Sequence, residues 1–350
     1  MIADTRLLSL VLAAAALAAC ADGPAEPQDH LPGPVLATAS PGTWTTKAAF
    51  PTPRYRLASA VLQNAAGQYS LYTIGGENAG NPAMKRVQAY NAATNTWSRK
   101  ADLPFKRANT NGAAVIGGKI YLTGGSDELF VRRRTLYVYN AASDSWTRGA
   151  DLPVRSNLGV TGVIGGKLYV LTGDCADCIP RQSRRLYRYD PATNRWSRKR
   201  DAPHSHVGGI GGVIDGMFYV AWGARPGGNT LEVYDPSLDR WKTRLHMDYD
   251  GPADSTVQGA AGAVLDKKLY VIGGLAGDET SSIVKAYDPL TNRWTSRPYI
   301  NVPRISAVAG TVKNSAGKLQ IVVAGGSPTG LLQASEDGPS FTSVTEAYTP

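Results

Sequence analysis

From residue 43 onward, apolar residues come in short runs bounded by glycine or polar turns, and the pattern recurs along the chain. One run reads Gly-Gly-Lys-Ile-Tyr-Leu-Thr-Gly-Gly over 117–125. Others read Gly-Gly-Lys-Leu-Tyr-Val-Leu-Thr-Gly over 165–173 and Lys-Lys-Leu-Tyr-Val-Ile-Gly-Gly over 267–274. Runs this short, rich in β-branched and aromatic residues, predict buried strands. Each follows a strand of small residues: Gly112-Ala-Ala-Val-Ile116, Gly159-Val-Thr-Gly-Val-Ile164, Gly208-Gly-Ile-Gly-Gly-Val-Ile214 and Gly259-Ala-Ala-Gly-Ala-Val264. Alanine and glycine are poor intrinsic strand formers, so they predict strands crowded around a narrow axis.

A second pair of strands follows each first pair. Tryptophans stand at 44, 97, 146, 196, 241 and 294, and a tyrosine lies seven residues before each of the last five. The text between is nearly fixed, as in Tyr189-Asp-Pro-Ala-Thr-Asn-Arg-Trp196 and Tyr287-Asp-Pro-Leu-Thr-Asn-Arg-Trp294. Asp-Pro opens a type I turn, and the later Asn or Asp tolerates the left-handed conformation that ends it. Each unit is therefore four strands ending in a hairpin. The double glycines or their substitutes fall at 75–76, 124–125, 173–174, 222–223, 273–274 and 325–326, which makes six units. Gly173-Asp174 and Trp222-Gly223 break the pattern, so those loops are expected to be reshaped.

The double glycine after the second strand and the spaced Tyr and Trp closely resemble the kelch repeat. The resemblance covers about residues 43–350. It implies an all-β fold, a six-bladed β-propeller of four-stranded blades. The last unit ends at Tyr348 with no following Trp, and Trp44 has no preceding Tyr. The N-terminal strand at 43–46 is thus expected to complete blade six and close the ring, removing an open sheet edge. The composition agrees: 38 Gly, 17 Tyr, 7 Trp and 43% apolar residues exclude a disordered chain.

Residues 1–42 stand apart. Arg6 precedes an apolar run from Leu7 to Ala19 that is too short to span a bilayer, as in a secretory signal. Leu17-Ala18-Ala19-Cys20 resembles a bacterial lipobox, which implies cleavage before Cys20 and lipidation of its thiol; a plain signal peptide cut nearby is the alternative. The expected organisation is signal peptide 1–19, proline-rich tether 20–42 and propeller 43–350, anchored by lipid in the bacterial cell envelope.

The net charge of +9 favours anionic partners. Export and the lack of any recognisable module argue against nucleic acid. In a propeller, the link into each blade and the loop between its second and third strands share one face. Aligned on Gly-Gly-Lys, Arg107 and Arg155 fall together, and Arg56 and Arg304 take corresponding places after Pro53 and Pro303. Blade four puts His204 and His206 there, and blade five Asp254 and Thr256. The second-to-third loops add Arg132, Arg133, Arg134, Arg181, Arg184 and Arg185. This predicts a basic face for a carboxylate or phosphate ligand. Alternatively, these arginines pair with neighbouring acids such as Asp102, Asp151 and Asp201.

Cys175 and Cys178, in an exported chain, read as a disulfide. Zinc lacks a second Cys/His pair; of the four histidines only His204 and His206 cluster, which is thin support for a copper oxidase of the galactose-oxidase type, and no cofactor or metal is assigned. The functional expectation is a monomeric binding module for a protein or acidic glycan. The alternative is a carbohydrate-active enzyme, since bacterial periplasmic sialic-acid mutarotase is likewise a six-bladed kelch propeller.

Overall fold

Six four-stranded antiparallel sheets, with two small accessory ladders among the described residues, make up the fold in a computed structural model that describes residues 42–223, 230–244, 257–276, 279–329 and 340–350. Every described strand lies within one compact unit, Ser40–Pro350. Residues 1–41, with Cys20, lie outside the described residues.

Blade one shows the plan. Its strands Ala58–Gln63, Tyr69–Ile74, Val87–Asn91 and Thr96–Lys100 pair in sequence order from the axis outward. Blades two to five repeat this, with inner strands Ala113–Ile116, Val160–Ile164, Ile210–Ile214 and Ala261–Leu265. In blade six the order is Val308–Lys313, Leu319–Ala324, Thr345–Thr349 and then Thr43–Lys47. The ring is closed by the N-terminal strand, with Trp44 opposite Tyr348 and their rings 5.3 Å apart. Each inner strand touches the inner strands of both neighbouring blades, from blade one round to blade six and back.

The small residues of the inner strands follow from that contact. A Cβ on Gly212 would sit 2.3 Å from Cγ2 of Val264 on the next blade. The double glycine has a similar cause. The N–H of Gly76 donates to the carbonyl of Arg107 in the link into blade two (2.8 Å), and a Cβ on Gly75 would lie 2.4 Å from that oxygen. Gly125, Gly274 and Gly326 make the same bond to Ser156, Arg304 and Arg54.

The hairpins staple the blades together. The hydroxyl of Tyr90 donates to Asn95 Oδ1, which also accepts the N–H of Ala48 in the incoming link. Trp97 then donates its indole N–H to the Ala48 carbonyl. Asp144, Asn194 and Asp239 repeat the arrangement for blades two, three and four. Asn95, Asp144, Asn194 and Asp239 all have positive φ, so one residue ends the turn and ties two blades.

Candidate functional site

The links into the blades meet at the axis. Arg56, Asn109, Leu158, Gly208, Gly259 and Ser306 hold equivalent places, each at φ between 51° and 69°. In five of them the N–H of that left-handed turn points sideways at the preceding blade. Asn109 donates to Arg56 (3.0 Å), Leu158 to Asn109 (2.9 Å), Gly208 to Leu158 (2.8 Å), Ser306 to Gly259 (2.6 Å) and Arg56 to Ser306 (3.1 Å). Five of the six steps of a backbone collar are thus closed among the described residues. Its members share a backbone angle and no side-chain chemistry, so nothing in their sequence marks them.

Beneath the collar lies a cavity of about 490 Å³, lined by one short segment from each blade. Its wall is mostly glycine, alanine and aliphatic residues, with serine, threonine, asparagine and Gln258 as polar points. Among the described residues the lining holds no carboxylate and no histidine, and its charged member is Arg56. The Arg56 guanidinium binds Glu77 and lies 4.9 Å from the centre of the Tyr55 ring. Burial pushes the Tyr55 phenol up to about 12, with Glu77 adding to the rise and Arg56 opposing it.

The expected basic face needs correction. The equivalent of Arg107 and Arg304 is Arg54, not Arg56, because the carbonyls of these three accept the matching glycine N–H. In blade three that place belongs to Ser156, and Arg155 is its neighbour. Blade two carries one extra residue between this point and its Gly-Gly hairpin, which put the alignment out of step. Arg54, Arg107 and Arg304 are buried and face their own blades. Arg54 binds Gln88 (2.6 Å), Thr73 (3.1 Å) and the Gly75 carbonyl (2.7 Å). Burial, assisted by Arg86 and resisted by Asp102, pulls its guanidinium down to about 9. Arg107 lies 5.9 Å from the centre of the Tyr137 ring, and Arg304 pairs with fully buried Glu346. Burial lowers both guanidiniums, and Glu346 resists the drop at Arg304. These arginines are internal struts.

Blade four replaces the strut with histidines. His206 is buried, with Nδ1 2.7 Å from the Trp222 carbonyl and Nε2 3.0 Å from Glu232 Oε2. Each ring nitrogen therefore faces an oxygen, one of the backbone and one of a buried carboxylate. His204 Nδ1 lies 2.6 Å from Glu232 Oε1, and its ring is partly exposed. Burial would raise the Glu232 carboxyl, but His206, and then His204, outweigh it and hold the group below its ordinary value. Asp254 and Thr256 lie outside the described residues.

The remaining arginines hold loops in place. Arg132 binds Asp174 across blades two and three, and Arg155 binds Asp177 at 2.5 Å. Arg133 binds Asp127, whose carboxylate also accepts the N–H groups of Leu129 and Val131. Burial opposes ionisation of Asp127, yet these bonds keep its carboxyl below the ordinary range. Arg185 sits at the base of its loop, its N–H on Ser183 Oγ. Cys175 and Cys178 are joined as a disulfide, and both are buried. Residues 174–175 pair with 156–157 in a short ladder, so the loop at Gly173-Asp174 is reshaped. At the tips of these braced loops, Leu129 is 75%, Phe130 62% and Ile179 98% exposed. The loop arginines Arg132, Arg133 and Arg155 are held in ion pairs, whereas the side chains bare at the loop tips are apolar.

A family model described as the Kelch motif matches residues 53–104, 109–153, 158–203 and 258–299, together more than half of the chain. The chain belongs to the kelch-repeat family. Kelch-like ECH-associated protein 1A of Danio rerio is 32% identical over 91 residues, covering 25% of this chain and 14% of that protein. Kelch-like protein 4 of Homo sapiens is 34% identical over 83 residues, covering 24% of this chain and 11% of that protein. The kelch chain thus spans a small part of these relatives. The solved structure of YjhT superposes with a TM-score of 0.65 over 85% of this chain and 95% of that one, at 15% identity, a likeness of fold.

Proposed function

We propose that this kelch protein is an exported, lipid-anchored binding module of the bacterial cell envelope, and that it engages a protein partner through the loops of blades two and three. Export and anchoring rest on Arg6, the apolar run to Ala19 and the Leu-Ala-Ala-Cys20 sequence. The observation that carries the binding reading is the pair of braced loops with bare Leu129, Phe130 and Ile179 at their tips. Exposed apolar side chains held rigid by ion pairs and a disulfide lose little entropy on binding, and an aromatic anchor inside a polar rim is the usual make-up of an interface centre. A sugar-active alternative needs an acid or base at the axis, and the described lining of the cavity offers arginine, amide and hydroxyl groups only.

A photo-crosslinking residue placed at Phe130 in cells should capture a discrete envelope protein. Combining Leu129→Ala with Ile179→Ala should abolish the capture while leaving the melting temperature unchanged. A crosslinker at Leu290, exposed on a hairpin of blade five, is the control. No capture at 130, or equal capture at 290, would remove the basis for this reading.

A further inference from the structure

The seam into blade four differs from its neighbours. In blades one, two and three the hairpin tryptophan donates to an alanine carbonyl of the incoming link: Trp97 to Ala48, Trp146 to Ala101 and Trp196 to Ala150. In blade four Trp241 donates to Arg200 (2.8 Å). The outer strand Arg240–Thr243 adds Arg240, and the loop of blade three adds Arg184. These three arginines, the Trp241 side chain, Ala202 and Pro203 line a cleft of about 570 Å³, together with Asp201.

The charge in this cleft is not neutralised from within. Arg132, Arg133, Arg155 and Arg304 each hold a carboxylate. Among the described residues the Arg184 guanidinium bonds the Pro203 carbonyl (2.9 Å), and Arg200 Nε bonds the Asp239 carbonyl (3.2 Å). The carboxylate of Asp201 is occupied by Arg198 at 2.7 Å. Among the described residues, none of Arg184, Arg200 and Arg240 is in an ion pair.

We propose that this lateral cleft binds an acidic sugar unit. Its carboxylate or sulfate takes the guanidinium forks, and an apolar face of its ring rests on Trp241 and Pro203. A planar fork matches a planar carboxylate in two parallel bonds, and an aromatic wall supplies the apolar contact that a bare anion site lacks. Nucleic acid fits less well, because a phosphate backbone is held along a continuous basic stripe. Here Asp201 and Asp239 flank a single pocket. The cleft shares no residue with the loop tips of blades two and three, so its failure would leave the protein-binding reading untouched.

The test is calorimetric titration of the full chain with four probes: trigalacturonate, a sulfated heparin tetrasaccharide, neutral maltotriose and an oligodeoxythymidine. At least one acidic saccharide should bind about tenfold or more tightly than maltotriose, and added salt should weaken it. Arg240→Ala combined with Arg184→Ala should lose about tenfold in affinity for that saccharide, with an unchanged melting temperature. Trp241→Phe, which keeps an aromatic ring, should weaken it less. The proposal falls if neither acidic saccharide binds. It also falls if the double arginine variant binds as the wild type does, or if oligodeoxythymidine binds more tightly than both saccharides.

Discussion

Arg304 and Glu346 are both fully enclosed, so the weight of each lies in what it would leave behind. Removing one partner strands a charge in a dry interior, at a cost of about 3–5 kcal/mol. Glu346→Ala should therefore lower the urea unfolding free energy by about that amount. Combining Arg304→Met with Glu346→Leu should recover most of it, since no charge is then stranded. Glu232 in blade four does the same job with histidines and adds pH dependence. Its carboxyl is depressed in the fold, so its contribution is present above its unfolded value, taken as 4.5, and is lost as pH falls through the folded value. Glu232→Gln should cost about 1–3 kcal/mol at neutral pH and flatten the loss of stability below about pH 4.5 in acid-titration fluorescence; an equally steep acid limb would show that the carboxylate does not titrate with unfolding. The sequence showed basic residues near these points but not their direction. One extra residue between Arg107 and Gly117 shifts the register by one, so that Arg155 and not Ser156 aligns with Arg107. Arg54 follows Pro53 as Arg304 follows Pro303, and that pairing was the available signal.

At the scale of the strand and hairpin, the glycines separate by what they meet. Gly75 and Gly117 both have positive φ, at 64° and 56°. A Cβ on Gly75 would strike the Arg107 carbonyl at 2.4 Å, whereas one on Gly117 meets nothing within 4 Å. Gly117→Ala should cost the left-handed penalty of about 1–2 kcal/mol. Gly75→Ala adds the displacement of a neighbouring blade, about 1–3 kcal/mol more, and equal losses in thermal melts would refute the close-approach argument. This level was the most legible in the sequence, because each element has a chemical cause that repeats. Glycine is needed where a neighbouring backbone crosses, and Tyr with Asn or Asp is needed where a hairpin grips a link. The collar has no such mark in the sequence, for the opposite reason. Arg56, Asn109, Leu158 and Ser306 share only a backbone angle, which their side chains do not announce.

The whole ring depends on one strand that is remote in sequence from the blade it completes. Thr43–Lys47 covers the edge of Thr345–Thr349, and Trp44 packs on Tyr348 while donating to the Pro298 carbonyl (2.7 Å). The same stretch continues into blade one, where Ala48 is held by Asn95 and Phe50 packs 4.8 Å from Trp97. Blade six thus meets blade one through inner-strand contacts and through this covalent seam. Deleting residues 43–47 would bare a sheet edge and free the link at once. The deletion variant of the 40–350 unit should then lose hydrogen-exchange protection in Ala58–Gln63 of blade one as well as in Val308–Lys313 of blade six. A synthetic peptide of residues 42–50 added in trans should restore both. Loss confined to Thr345–Thr349 would mean that the inner strands hold the ring without the seam. Because the proposed lipid tether enters at this same strand, a pull on the anchor would load the seam before any other part of the propeller.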